Sequence, residues 1–318
     1  MRAHPSGGFR RVAPIFIRMD ADGAERKAAL SDTGASCKAY PVIDASLLQD
    51  VGRAIRDVAR REILPRFGAL SAGDIAEKAP GDLVTIADHA AERELGALLR
   101  ELVPGSVVVG EEAVAADPGV LLALAGPEPV WIVDPIDGTA NFVVGSARFS
   151  TLVALAQHGR LLASWTYAPV FDRLATASAG GGAFLDGTPL RVRPWSGGLE
   201  HLPVVVPIPV WYSAETRARV NNLSHTPVSL SYLDTSGLEY IEVAAGRRTA
   251  MVITWENVWD HAAGLLLVTE AGGTAVTRDG TGFRLSGGNP LPLVVAPDPD
   301  TAASLHRALS LPHDLQNT

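Results

Sequence analysis

Trp131-Ile132-Val133-Asp134-Pro135-Ile136-Asp137-Gly138-Thr139 runs an apolar strand into two carboxylates three residues apart and then into a turn. Pro135 biases Asp134 toward an extended backbone, so the acids emerge at the strand's edge facing one space. Hard divalent cations such as Mg²⁺ take oxygen ligands. Two of them held about 3.5 to 4 Å apart orient a water and stabilise the leaving oxygen of a phosphate ester. In that chemistry Asp134 is the candidate bridge between two ions. Gly138 and Thr139 offer backbone N–H groups to a phosphate where a helix begins, and the Thr139 hydroxyl is a candidate for holding the attacking water. A bare Asp-Gly-Thr reads first as a surface turn capped by Thr, and only the acids elsewhere in the chain lift it above that. An EF-hand is disfavoured, because Ile136 stands where a third oxygen ligand belongs.

Three further acids keep this stretch company. Gly110-Glu111-Glu112 follows the apolar run Ser106 to Val109, so a carboxylate again ends a strand. Asp260, in Trp259-Asp260-His261-Ala262-Ala263-Gly264, precedes an apolar helix that it is placed to cap. Asp88 ends Lys78-Ala79-Pro80-Gly81-Asp82-Leu83-Val84-Thr85-Ile86-Ala87-Asp88, a Lys-bearing loop leading into another helix, where it too reads as a cap. His261 is read as structural, since a hard-oxygen site has little use for imidazole. Trp131 and Trp259 read as core anchors beside the acids, and Lys78 as an exposed loop lysine with Glu111 or a phosphate as its alternative partners.

The rest of the chain sets the frame. Its 318 residues are 47% hydrophobic and 19% charged, which suits a folded α/β enzyme of one large or two modest domains. With 27 basic against 35 acidic residues the net charge is -8, which lacks the footprint of extensive nucleic-acid binding. No apolar run approaches the roughly 20 residues of a membrane span. Cys37 is the one cysteine, so no intramolecular disulfide or thiolate metal site is expected and the cytoplasm is the default compartment. Residues 1–43 read as a flexible extension, with Met19 an alternative start. Helical spacing runs from Ser46 to Ile63 behind Asp44, and again from Asp88 to Leu102. Strands are expected at 107–109, 130–133, 151–156, 161–167 and 174–177, with a tight turn at Gly180-Gly181-Gly182. The Pro, Gly and Val content between Pro194 and Pro209 reads as a seam between lobes, 44–193 and 194–318. The second lobe is expected to hold a strand at 228–233, a helix at 237–245, a strand at 250–254 and a helix at 260–271.

Taken together, these residues resemble the inositol monophosphatase family. Asp134-Pro135-Ile136-Asp137-Gly138-Thr139 and Trp259-Asp260-x-Ala262-x-Gly264 are similar to its signature pair, with Gly110-Glu111-Glu112 and Asp82-Leu83-Val84-Thr85-x-x-Asp88 in matching order. The resemblance covers roughly residues 45 to 310. It implies an α/β fold, a layered α-β-α-β-α sandwich of two lobes, and Mg²⁺-dependent hydrolysis of a small phosphate ester such as inositol 1-phosphate, with two or three ions. By the same resemblance Glu111, Asp134 and the Ile136 carbonyl hold one ion, and Asp134, Asp137 and Asp260 another. Thr139 and Asp88, with Glu111, activate the water. Gly138, Thr139, Ser236, Gly237 and Glu239 contact substrate. Lithium sensitivity and a homodimer go with the family.

The departures concern the alcohol. The acidic residue that the family places seven positions before its last metal-binding Asp is here Ile253. The family's small-residue run is replaced by Ser236-Gly237-Leu238-Glu239-Tyr240. Glu239, Arg247, Arg248, Trp255 and Glu256 are candidates for altered specificity, with Arg247 and Arg248 otherwise a solvated turn and Trp255 otherwise packing. Histidinol phosphate, a sugar bisphosphate and adenosine 3',5'-bisphosphate are therefore alternative substrates, and a regulatory binding protein on the same fold is the reading from another class.

Overall fold

The computed structural model describes residues 40–208 and 214–310. The expected extension over 1–43 thus lies, except for its last four residues, outside the described residues, as do Met19, Cys37 and Pro209. In chain order the elements are α1 (Ala45–Val58), β1 (Ile75–Ala79), β2 (Asp82–Thr85), α2 (Ile86–Leu102), β3 (Val107–Gly110), α3 (Glu111–Ala116), β4 (Val130–Asp137), α4 (Thr139–Val143), β5 (Ser150–Gln157), β6 (Arg160–Ala168), β7 (Arg173–Ser178), β8 (Gly182–Leu185) and β9 (Thr188–Pro189). There follow β10 (Pro203–Val206), α5 (Ala214–Leu223), β11 (Ser229–Tyr232), α6 (Ser236–Ala244), β12 (Ala250–Ile253), α7 (Val258–Glu270), β13 (Thr274–Val276), β14 (Leu293–Ala296) and α8 (Pro299–Leu309).

Two large sheets carry the fold. The first has seven strands in the order β3-β4-β5-β6-β7-β8-β9; β3 and β4 pair in parallel, and the remaining pairs are antiparallel. The second has five, β11-β10-β12-β14-β13, with β10 parallel to both its neighbours. A separate hairpin joins β1 to β2.

β4 and β5 are buried along their whole lengths, because both faces of their sheet are covered. Alternate residues of a strand point to opposite faces. Trp131 and Val133 therefore join Ile55, Leu95 and Leu99 of α1 and α2 in one core, while Val130 and Ile132 join Val258, Ala262 and Ala263 of α7 in another. The same alternation in β12 sends Met251 and Ile253 into the layer of α6 and α7. Ala250 and Val252 meet Val220 and Leu305 of α5 and α8. The layers are therefore α1 and α2, the seven-stranded sheet, α6 and α7, the five-stranded sheet, then α5 and α8: the expected α-β-α-β-α sandwich.

Several expectations need adjustment. Asp44 caps α1 through Leu47 N–H at 2.8 Å, as read. Asp88 does help cap α2, as the acid of a capping box whose carboxylate accepts from Thr85 N–H, whereas Asp260 is not the N-cap of α7. Thr85 and Asn257 are the N-caps of α2 and α7, and each acid is the third residue of its helix. A carboxylate inside the first turn still meets the positive end of the helix dipole. The Pro- and Gly-rich stretch taken as a seam contains β10, whose Val204, Val205 and Val206 are buried. The flanking prolines hid a four-residue strand.

The close approach of α6 to α7 depends on Gly264, since a Cβ there would overlap the ring of Tyr240. Overpacking of this kind costs about 1 to 3 kcal/mol. Gly264→Ala should lower the melting temperature by calorimetry. Gly282→Ala, where a Cβ would meet nothing within 4 Å, should leave it in place.

Candidate active site

The two acids of β4 share a side of the sheet because the strand is irregular between them. Asp134 pairs with Leu152 and Asp137 with Ser150, so three steps on β4 match two on β5. In a regular strand, residues three apart face opposite ways. The extra residue of this bulge brings both carboxylates to one face. Pro135, which has no N–H to lose, is tolerated at such a position, and its carbonyl accepts from Thr151 Oγ1 at 2.8 Å. Beyond Asp137 the chain turns at Gly138, whose φ of 91° is left-handed. A side chain there would also run into the Thr235 methyl.

Asp134, Asp137 and Asp260 each present one carboxylate oxygen within 4.8 Å of the others. Both Asp137 oxygens accept hydrogen bonds: Oδ2 from Gly237 N–H at 2.7 Å and Ser150 Oγ at 2.8 Å, and Oδ1 from Ser236 N–H at 3.1 Å. The first sheet thereby grips the start of α6. Asp260 Oδ2 accepts from the Trp255 indole at 2.5 Å. Asp134 is different, being 1% exposed, with its Oδ1 buried and lacking any hydrogen-bond partner. A buried, unpaired carboxylate oxygen among other carboxylates is costly unless a cation or a proton answers it. The donor set, all oxygen with no thiolate, suits a hard divalent ion.

Burial, with repulsion from Glu111, Asp137, Asp260 and Asp88, pushes the Asp134 carboxyl far above its ordinary range. Burial also raises Asp137, against the pull of its hydrogen bonds. For Asp260, burial and then the Asp137 charge raise it to about 7. Glu111 stands at about 8 through burial, although Lys78 opposes this.

Lys78 is not an exposed loop lysine. From β1 its Nζ reaches Glu111 Oε1 at 2.6 Å and Glu112 Oε1 at 3.1 Å. Burial works against this ammonium, but the two glutamates outweigh it and raise its pKa. The turn that presents Glu111 is held from α2, where the Glu92 carboxylate accepts from the N–H groups of Glu112 and Ala113 at 2.8 and 2.9 Å. Gly110 lies so close that any Cβ would overlap that carboxylate.

Asp88 and Thr139 form a pair from separate elements. Asp88 Oδ2 accepts from Thr85 N–H at 2.8 Å and Oγ1 at 2.6 Å, which leaves Oδ1 facing Thr139 Oγ1 at 3.3 Å. The Thr139 hydroxyl also reaches the Ile136 carbonyl at 3.0 Å. Burial raises Asp88 to about 6, with the Thr85 bonds opposing.

The residues expected to contact substrate divide. Ser236 and Gly237 give their N–H groups to Asp137, so they orient a carboxylate and are not free to hold a phosphate. Glu239 is 1% exposed and faces Arg248 at 3.4 Å and Arg148 at 3.6 Å, so it offers no free charge to an alcohol. Arg248 is thus more than a solvated turn, while Arg247 pairs with Glu242 at 2.7 Å. His261 is structural as read, wholly buried, with burial lowering its pKa to about 3. Ile253 is wholly buried among α6 and α7 side chains. The contact between Trp255 and Asp260 was missed, since nothing in the spacing distinguishes this tryptophan from a core ring.

The fold agrees with what the chain is similar to. A model of the inositol monophosphatase family matches residues 43–310. An inositol-1-monophosphatase of Mesorhizobium japonicum is 32% identical over 236 residues, 73% of this chain and 85% of that one. Inositol monophosphatase 1 of Sus scrofa is 29% identical over 261 residues, covering 80% and 88%. Among solved structures, the extragenic suppressor protein suhB of Bartonella henselae superposes with a TM-score of 0.70 at 26% identity, over 84% of this chain and 99% of that one. The chain belongs to the inositol monophosphatase family, and with it to the phosphoric monoester hydrolases. Among the described residues no helix is long and apolar enough to cross a membrane.

The acids give the metal-free protein a definite pH dependence. From the ordinary values of 3.8 and 4.5 up to about 6 for Asp88, 7 for Asp260 and 8 for Glu111, the folded state keeps protons the unfolded state has released. Stability therefore falls as pH rises across that window. His261 opposes this below its ordinary 6.5, where only the unfolded chain takes up its proton, but the acids outnumber it. Calorimetry in chelator should show the melting temperature declining from pH 5 to pH 8. A flat or rising profile would contradict the burial and repulsion described.

Proposed function

We propose that this chain hydrolyses a small phosphomonoester of the inositol-phosphate type with Mg²⁺ as its cofactor. The observation that carries the reading is the convergence of Asp134, Asp137 and Asp260, with one Asp134 oxygen buried and unanswered. Asp134, Asp137 and Asp260 are the proposed ligands, joined by Glu111 and the Ile136 carbonyl. When bound, Mg²⁺ supplies charge neutralisation for the phosphate, a lowered pKa for water and stabilisation of the leaving oxygen.

The chain's own residues do the rest. A water seated against Thr139 Oγ1 gives its proton to that hydroxyl as the hydroxyl passes its own to Asp88 Oδ1. An acid raised to about 6 is well matched to accept a proton near neutrality. Thr85 fixes the other Asp88 oxygen, so the accepting lone pair points one way. Backbone N–H groups at Gly138 and Thr139 hold phosphate oxygens. Ser236 and Gly237 act through Asp137, and Lys78 steadies Glu111 until the ester is bound.

The relatives' names support inositol phosphate as the substrate. Ile253 and the paired Glu239 leave two polar contacts to a polyol unmade, so the alcohol is the part to be found by experiment. Phosphate release from inositol 1-phosphate, histidinol phosphate, a sugar bisphosphate and adenosine 3',5'-bisphosphate, with and without Mg²⁺, should show one preferred, Mg²⁺-dependent substrate. Asp134→Asn should lower kcat on it by about a thousandfold or more, and Thr139→Ala by about a hundredfold, in line with loss of general acid–base help. Wild-type turnover by Asp134→Asn would remove that residue from the centre of the mechanism.

A further inference from the structure

Trp255 lies between β12 and α7, five residues ahead of Asp260. Its indole Nε1–H donates to Asp260 Oδ2 at 2.5 Å, and the Asn257 side chain bonds the same carboxylate. Two features hold the indole still. Its ring lies tilted against that of His261, centroids 5.2 Å apart, and His261 in turn packs edge-on against Phe283 at 5.5 Å. The Trp255 carbonyl is also tied down, 3.2 Å from His261 Nε2. A carbonyl only accepts, so that nitrogen carries the proton. Nδ1 is left to accept from the Tyr240 hydroxyl at 3.3 Å. Tyr240 and His261 are wholly buried, so the tautomer is dictated from both sides.

An indole N–H donates and cannot accept, carries no charge and cannot ligate a metal. It therefore neither neutralises Asp260 nor competes for a cation. What it can do is fix the rotation of the carboxylate by taking up one oxygen. Outer partners that orient a ligand in this way commonly control metal affinity.

We propose that Trp255 is a positioning residue for Asp260: by holding Oδ2 it sets the carboxylate so that the other oxygen serves the cation shared with Asp134 and Asp137, which tightens Mg²⁺ binding. This rests on the reading of Asp260 as a cation ligand. Tyr240 and His261 form the support behind the indole.

The test is Mg²⁺ titration by isothermal calorimetry of wild type, Trp255→Phe and Asp260→Asn, each melted separately in chelator. Trp255→Phe keeps an aromatic ring against His261 and removes the donor. Trp255→Leu is the second donor-less variant should the first not fold. The expected result is Mg²⁺ affinity about tenfold weaker in the Trp255 variant, with Asp260→Asn weaker still. Packing alone would lower the melting temperature in chelator without moving the affinity. A Trp255 variant that binds Mg²⁺ within twofold of wild type, while Asp260→Asn does not, overturns this proposal and spares the reading of Asp260. Wild-type Mg²⁺ affinity in Asp260→Asn overturns both.

Discussion

Mutual repulsion between carboxylates withdrawn from water is the constraint around which this molecule is arranged. Asp134, Asp137, Asp260, Glu111 and Asp88 come from four separate elements; burial raises each, and the charge of neighbouring carboxylates adds to it at all but Asp137. An isolated acid would relieve such strain by turning outward. Here four of the five are pinned: Asp137 by two backbone N–H groups and a serine, Asp88 by Thr85, Glu111 by Lys78 and Asp260 by an indole. The hydrogen-bond network holds acids in place against their own field. Asp134 Oδ1, the oxygen left without a partner, is where that field is least answered.

Much of this arrangement could be read from the chain. The apolar run into Asp134 and Asp137 announced a buried strand ending in acids, and helical spacing located α1 and α2. Local pattern was enough because each of those features is decided by neighbours within a few residues. What escaped was decided at long range. The Asp137 bonds to Ser236 and Gly237 join residues about a hundred positions apart, and no spacing rule connects them. β10 was obscured because its flanking prolines look like a linker, and only the parallel partners β11 and β12 make Val204 to Val206 a strand. Lys78 looked like a loop residue because its acids lie 33 and 34 positions away. Trp255 was invisible for a chemical reason: a tryptophan packs in the same way whether or not its N–H has work to do.

The layered architecture explains why the site can be both deep and precise. α6 and α7 are sandwiched between the two sheets, so their first turns are buried ends, and a buried helix start needs partners for its N–H groups. Asp137 supplies them for α6. The need of the helix for an acceptor and the need of the acid for donors are met by one interaction, which ties the geometry of the cluster to the docking of α6 on the seven-stranded sheet.

The pair of Asp88 and Thr139 has a different ancestry within the structure. Both residues, and Thr85 behind them, belong to elements that precede β5 in the chain, whereas Trp255, Glu239 and Ile253 all come from the later half. The chain thus separates the groups proposed to move a proton from those packed in and around the layer of α6 and α7. Asp260 nevertheless comes from that later stretch, so a change packed into the layer of α6 and α7 can reach the proposed cation site through Asp260 while leaving the Asp88–Thr139 pair untouched.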